Sequence, residues 1–280
     1  MHHLILGYGY CGYYLAQELL NNNQKVAALS RHLDPQKQLP GLKHITQDLS
    51  TPVYWDEPNT IIYYLIPPSA QGERDLLLKE FLKQSLIKAK KIIYFGSSGV
   101  YGNHQGAWIT EESPCFIDNP RQLRRLDAEH QWMEYCKQHH IDAVLLRIAG
   151  IFGPHRLPIE AASTQTPLIE QGKAPYTNHI FVKNLARIAF LLGQKQITYP
   201  IYNIADGDPR PMGTLQQLVA TLLNKEPAPY ESLEHALERA SPMKREFING
   251  SKRLAINLLK TTLGNSLSLN TLEDAVSQSL

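Results

Sequence analysis

The sequence predicts an α/β fold, a doubly wound parallel sheet joined to a small C-terminal α/β lobe. Three observations predict it. Short apolar runs alternate with longer helical patterns through roughly the first 150 residues, the rhythm of βαβ units. Several runs, such as "TIIYYLI" and "DAVLLRI", are continuously apolar, as strands buried on both faces are. The first run leads through a glycine cluster into an amphipathic helix, "LILGYGYCGYYLAQELL".

In chain order, strands are expected at His3–Leu6, Lys25–Leu29, Lys43–Ile45, Thr60–Ile66, Lys91–Gly96, Ala143–Ile148 and Ile201–Ile204. Helical spacing marks Tyr10–Asn22, Glu73–Lys90, Arg121–His139, Val182–Gly193 and Leu215–Leu223. From Gly153 the rhythm breaks, and "GPHRLPIEAASTQTPLIEQGKAPYTN" has no long period. Beyond Asn224 short helices are expected, with a strand near Glu246–Ile248. This divides the chain into a dinucleotide-binding part, residues 1–155 rejoined by 183–224, and a small substrate-facing lobe, 156–182 and 225–280.

Composition narrows the function. In 280 residues, 28 Lys and Arg face 26 Asp and Glu, a net charge of +2 that gives no electrostatic basis for nucleic-acid binding. The histidines are scattered without metal-ligand spacing, so no metal is expected. Cys11, Cys115 and Cys136 form neither a C-x-x-C pair nor a disulfide framework, which fits a reducing cytoplasm. The apolar run Leu4–Leu6 is too short for a signal peptide or membrane span.

Gly7, Gly9 and Gly12 make G-x-G-x-x-G between a buried strand and a helix. That context suits a dinucleotide: the first glycine takes the turn, the second admits the pyrophosphate, and the third lets helix and sheet pack closely. A plain glycine turn is the competing reading. Tyr10 and Cys11, inside the motif, and Leu65, near the end of the fourth strand, join the candidate cofactor contacts. The second strand ends at Ser30 and Arg31, where an NAD site would carry a carboxylate for the ribose. An arginine there suits a 2′-phosphate, favouring NADP over NAD, although a solvated loop arginine reads the same way. Asp48 either accepts from the adenine amino group or caps a turn.

"KIIYFGSSGVYG" ends a buried strand in adjacent serines, at the sheet edge where open α/β sheets place ligands. Together with "LLRIAGIFGP", "IYNIADG" and "INGSKRLAINLL…LG", in this order, it resembles the short-chain dehydrogenase/reductase superfamily and its extended epimerase/dehydratase branch. The resemblance covers nearly the whole chain. It implies a Rossmann domain, a nicotinamide cofactor and a C-terminal lobe over a small-molecule substrate. By that match Ser97 takes the place of the catalytic serine or threonine.

The branch also carries Tyr-x-x-x-Lys on a following helix, the tyrosine as acid/base and the lysine as cofactor anchor. The matching helix here reads "NPRQLRRLDAEHQWMEYC" and places Arg121 and Arg125 at those positions. None of the 14 tyrosines has Lys at the fourth position after it. Arg125 can hold the nicotinamide ribose as a lysine would, but Arg121 cannot replace a phenol in proton transfer near neutrality. The pair can also clamp a carboxylate or phosphate, or form a solvated basic face with Glu129 pairing to Arg125. A second departure is "HIFVKNLA", where the branch often has His-Val-x-Asp. The chain is therefore similar to atypical members with a degenerate active site. Asp127, Tyr176 and Tyr101 are candidate proton donors, with Tyr176 also readable as a surface residue.

Two functions follow from these features. One is an NADP-dependent enzyme that moves hydride between nicotinamide and a hydroxyl or keto carbon, Ser97 orienting the oxygen. The other is a catalytically idle NADP(H) sensor. The Glu73–Lys90 and Arg121–His139 helices correspond to those that pair branch members into homodimers, with Leu82, Leu86 and Trp132 as candidate exposed apolar positions or core.

Overall fold

The structure, a computed structural model, describes residues 1–280. Seven strands form one sheet: β1 His2–Leu6, β2 Lys25–Ser30, β3 Leu42–Thr46, β4 Thr60–Tyr64, β5 Lys91–Phe95, β6 Asp142–Ile148 and β7 Ile201–Ile204. Their order is β7-β6-β5-β4-β1-β2-β3. β1 pairs in parallel with both β2 and β4, so chain order reverses direction around it. The register continues in parallel through β2–β3, β4–β5 and β5–β6. Every residue of β4 is buried, the pattern that its unbroken apolar run implies.

Four helices flank these strands: α1 Tyr10–Asn21, α2 Leu76–Gln84, α3 Pro120–His139 and α4 Val182–Gln194. α1 packs on β1 and β2, α3 packs on β5 and β6, and α2 lies against α3. The start of α3 was written locally: Asn119 caps it by accepting from the Gln122 amide at 3.0 Å, and Pro120 opens it. Its end at His140 is left-handed, φ 54°. Trp132, Tyr64, Phe81 and Tyr94 form the aromatic heart of the core between α2, α3 and the sheet.

Three expectations need correcting. The helix expected over Glu73–Lys90 holds only from Leu76 to Gln84. Ser85 ends it, its hydroxyl accepting from the Val53 amide at 3.0 Å, and Leu86–Ile87 then pairs with Tyr54–Trp55. The strand expected near Glu246–Ile248 is helix, Pro242–Asn249, capped by Ser241. Trp132 is fully buried rather than exposed, and Leu82 packs against the same core, which leaves Leu86 exposed among the three apolar positions considered.

The chain divides into two compact units, one of residues 1–100, 117–148 and 185–202, the other of 101–116, 149–184 and 203–280. Residues 101–116, 149–155, 183–184 and 203–224, expected with the first part, group with the second. Part of the reason is that Trp108–Ile109 pairs with Arg253–Leu254, and Tyr176–Thr177 with Arg210–Pro211. The second unit is built from such two-stranded pieces and short helices, with a small core of Ile169, Ala236, Ala240 and Ile248. No helix is long and apolar enough to cross a membrane.

Candidate cofactor site

The glycine cluster forms a cradle where β1 hands over to α1. Gly7 turns the chain at φ +102°, and its amide donates to the Leu29 carbonyl at 2.9 Å, fastening the turn to β2. Gly9 is the N-cap of α1, and no side chain caps the helix. A Cβ on Gly12 would stand 2.8 Å from the Gly7 carbonyl oxygen, so the helix starts closer to the turn than any side chain allows. A Cβ on Gly9 would meet nothing within 4 Å. The turn is thus closed on the sheet side and open at Gly9, the shape a diphosphate needs to approach backbone amides at a helix start.

The cradle opens on a cavity of about 490 Å³ at the carboxyl ends of β1, β2 and β4, lined among others by Gly7, Gly9, Ser30, Arg31, Asp48 and Leu65. The residues fit a dinucleotide. Arg31 is exposed on the cavity wall. Ser30 is engaged within the protein, its hydroxyl donating to the His32 carbonyl at 2.8 Å and lying 2.9 Å from His44 Nε2. Burial holds the His44 imidazole below its ordinary pKa. One Asp48 oxygen accepts from the Ser50 amide at 2.8 Å, and that bond is the main cause of its lowered pKa. The turn-capping role is therefore realised, on a residue that also lines the cavity. Leu65 reaches the wall directly after β4, its amide donating to the Leu6 carbonyl at 2.8 Å. Tyr10 and Cys11 sit half-buried in the first turn of α1 and are not part of that lining.

Sequence reasoning missed Tyr8, Gln47, Ile66 and Pro67 on this wall. Tyr8 lies between two motif glycines, and its hydroxyl donates to the Lys37 carbonyl at 2.7 Å, while burial raises its pKa. Gln47 follows β3 directly, and Pro67 stands three residues past the end of β4. Their signal was position after a strand, not residue type.

Ser97 follows β5, and its Oγ accepts from the Gly99 amide at 3.1 Å, where the single turn Ser98–Tyr101 begins. The accepted bond orients the hydroxyl and leaves its own proton to donate. Arg121 and Arg125 stand one turn apart at the start of α3, both half-buried. Arg125 is near enough to Tyr94 to oppose the rise that burial imposes on that phenol. Glu129 is buried and held by Arg147, with Nη2 to Oε2 at 2.8 Å and Nε to both oxygens at 3.2 Å.

Of the three candidate proton donors, two are committed to other partners and the third lies at the surface. One Asp127 oxygen accepts from the Asp75 amide at 2.8 Å and from Gln131 Nε2 at 2.6 Å, which ties α3 to the start of α2. Tyr101 is fully buried in the second unit and donates to Asn203 Oδ1 at 2.7 Å. Tyr176 is a surface tyrosine, 36% exposed. The structure shows instead a buried polar group beneath α2 and α3 that sequence reasoning missed. Tyr64 Oη, Tyr94 Oη, Asp75 Oδ2, Arg124 Nε and Trp132 Nε1 are buried there without a protein hydrogen-bond partner. Burial raises the Asp75 carboxyl, and neighbouring Asp127 adds to the rise. No group of three or more His, Cys, Asp or Glu side chains is gathered for a metal ion.

A parallel sheet whose first strand feeds a glycine turn and an uncapped helix has the Rossmann arrangement. Residues 70–205 match the NAD dependent epimerase/dehydratase family, the resemblance that the motifs carry. Solved structures agree on the fold. A conserved protein of unknown function from Silicibacter pomeroyi superposes with a TM-score of 0.80 at 23% identity, over 99% of this chain and 96% of that one. UDP-glucuronic acid 4-epimerase from Bacillus cereus, solved with UDP-glucuronic acid and NAD, gives 0.74 at 19%, over 100% and 98%. UDP-glucose 4-epimerase from Thermotoga maritima, solved with UDP-glucose, gives 0.75 at 16%, over 100% and 97%. A search of curated proteins finds no match.

Proposed function

We propose that this protein binds NADP(H) and passes hydride between the nicotinamide and a hydroxyl or keto carbon of a small, sugar-like substrate. The observation that carries the proposal is the cradle, open at Gly9 and continuous with a cavity whose β2 end offers Arg31 rather than a carboxylate. Gly7, Gly9 and the start of α1 would hold the diphosphate. Arg31 would pair with a 2′-phosphate, and Leu65 and Ile66 would flank the ribose side. The cofactor supplies the hydride chemistry. Ser97 would donate to the substrate oxygen, Arg125 would hold the ribose hydroxyls, and Arg121 would meet an anionic substrate group. The UDP-sugar ligands of the two epimerases support a sugar-like substrate.

Calorimetric titration with NADPH and, separately, NADH tests the cofactor assignment. NADPH binds more tightly than NADH, and Arg31→Gln weakens NADPH by about tenfold or more, the scale of a lost charged hydrogen bond, while leaving NADH nearly unchanged. Tighter binding of NADH than of NADPH in the unaltered protein would remove NADP and leave NAD, the cofactor in the family's name.

The absent Tyr-x-x-x-Lys pair favours a second reading, a catalytically idle sensor of NADP(H). The two separate on Ser97→Ala. For an enzyme, turnover of NADPH with a carbonyl substrate falls about a hundredfold, the scale for removing one donor to a reacting oxygen, with cofactor affinity unchanged. For a sensor, no carbonyl substrate supports turnover at all, and the oxidised and reduced cofactors bind unequally.

A further inference from the structure

We propose that Arg253, in the second unit, is the anchor of an oxyanion-binding site for a phosphate or carboxylate group. The site is built from three segments. Arg253–Leu254 pairs in parallel with Trp108–Ile109, with Arg253 opposite Trp108. The third segment is Tyr176, whose amide donates to the Ser251 hydroxyl at 3.0 Å and so is fixed two residues from the arginine. The guanidinium carbon lies 5.3 Å from the Trp108 ring centre and 4.7 Å from that of Tyr176.

These contacts fix the side chain and define what remains of it. The Nε–H donates to the Gly106 carbonyl at 2.6 Å, which sets the plane of the fork. Gly106 has no side chain to obstruct the arrangement: a Cβ there would stand 3.2 Å from the Tyr176 ring. The rings take the guanidinium face and a carbonyl takes one edge. The terminal Nη groups make no hydrogen bond or ion pair within the protein. Other arginines of this chain are neutralised nearby: Arg187 by Glu18, Arg210 by Asp208, Arg239 by Glu231.

A pre-oriented guanidinium with two parallel N–H groups left over matches the geometry of a carboxylate or phosphate, and the ordering cost of the long side chain has already been met by folding. The neighbourhood adds charge: Lys252, buried, donates to the Gly102 and Gly250 carbonyls at 2.9 and 3.0 Å. The aromatic walls are open to a ligand, Trp108 being 54% exposed and Tyr176 36%. A stack that served only to fasten the strand pair would need neither exposed rings nor free Nη groups. The site stands independently of the nicotinamide proposal, since every residue in it lies in the second unit.

Trp108 reports the test. The full chain is titrated with pyrophosphate and with succinate at constant ionic strength, following tryptophan emission and heat. The titration is repeated in Gly9→Asp, where the glycine cradle is closed to phosphate. Saturable binding of either anion that persists in Gly9→Asp is expected; the anion that binds more tightly identifies the group as phosphate or carboxylate. Arg253→Lys keeps the charge without the fork and weakens binding by about tenfold or more. Absence of saturation by both anions in the unaltered chain overturns the proposal without reliance on any variant. Unchanged affinity in Arg253→Lys, or a response lost in Gly9→Asp, overturns it too.

Discussion

Gly9→Asp abolishes dinucleotide binding and leaves the protein folded. The side chain added at Gly9 enters open space, with no atom within 4 Å of its Cβ, so nothing in the interior has to move. The backbone φ there, −102°, lies outside the left-handed region that favours glycine. In the cradle, however, a carboxylate stands where the diphosphate must lie, adding bulk and like charge at the helix start that the ligand's own charge would use. NADPH and NADH affinity fall by about a hundredfold or more, several kcal/mol, while melting temperature and circular dichroism match the unaltered chain. Retained binding would place the dinucleotide elsewhere. The contrast is Gly12→Val, in which the Cβ meets the Gly7 carbonyl at 2.8 Å and the fold itself is damaged.

Arg147→Met costs about 3–5 kcal/mol of stability, because it strands the Glu129 carboxylate in the interior. Both side chains are nearly inaccessible, at 6% and 3% exposure. Burial raises the Glu129 carboxyl and Arg147 opposes the rise, so removing the arginine moves the group further up. A carboxyl raised in the folded state favours the folded form at low pH and loses that advantage as pH rises through its folded value. The variant's melting temperature therefore falls with rising pH more steeply than that of the unaltered protein. Adding Glu129→Gln removes the charge that has to be buried and restores much of the loss. A pH-independent deficit, or a double variant no better than the single one, would show that packing rather than charge is at stake.

Most of the sheet was legible because strands buried on both faces write themselves as unbroken apolar runs; β3, partly exposed and carrying Lys43 and His44, is the exception, and β1 to β7 all fall within about two residues of the expected limits. The errors lie where partners are remote. Nothing in the spacing of "KQSLIKAK" shows that Ser85 and Leu86–Ile87 find partners over thirty residues upstream. Ser241-Pro242 did carry a helix start, a capping serine before proline, but the apolar pair in "REFIN" reads as strand when that cap is ignored. The cradle was legible since its chemistry resides in absent side chains at fixed spacing. The Arg147–Glu129 pair joins α3 to β6, and the polar atoms of Tyr64, Tyr94 and Asp75 sit inside stretches that sequence presents as core or as helix start. Such groups emerge only once the chain is folded.

The three thiols lie in three different parts of the fold, one of them buried and two half-buried. Cys136 is buried where α3 meets the sheet, and its thiol is pushed up to about 12 by burial and by Asp142. Cys11 is half-buried in the first turn of α1 and Cys115 half-buried in the second unit. A thiol reagent thus keeps three clocks on one molecule. Cys11 reports occupation of the cradle beside it, slowing when dinucleotide is present. Cys115 reports breathing of the second unit, and Cys136 reacts only as the helix leaves the sheet. Mass spectrometry of the labelled chain, peptide by peptide, would time the opening of each part separately without introducing a single foreign residue.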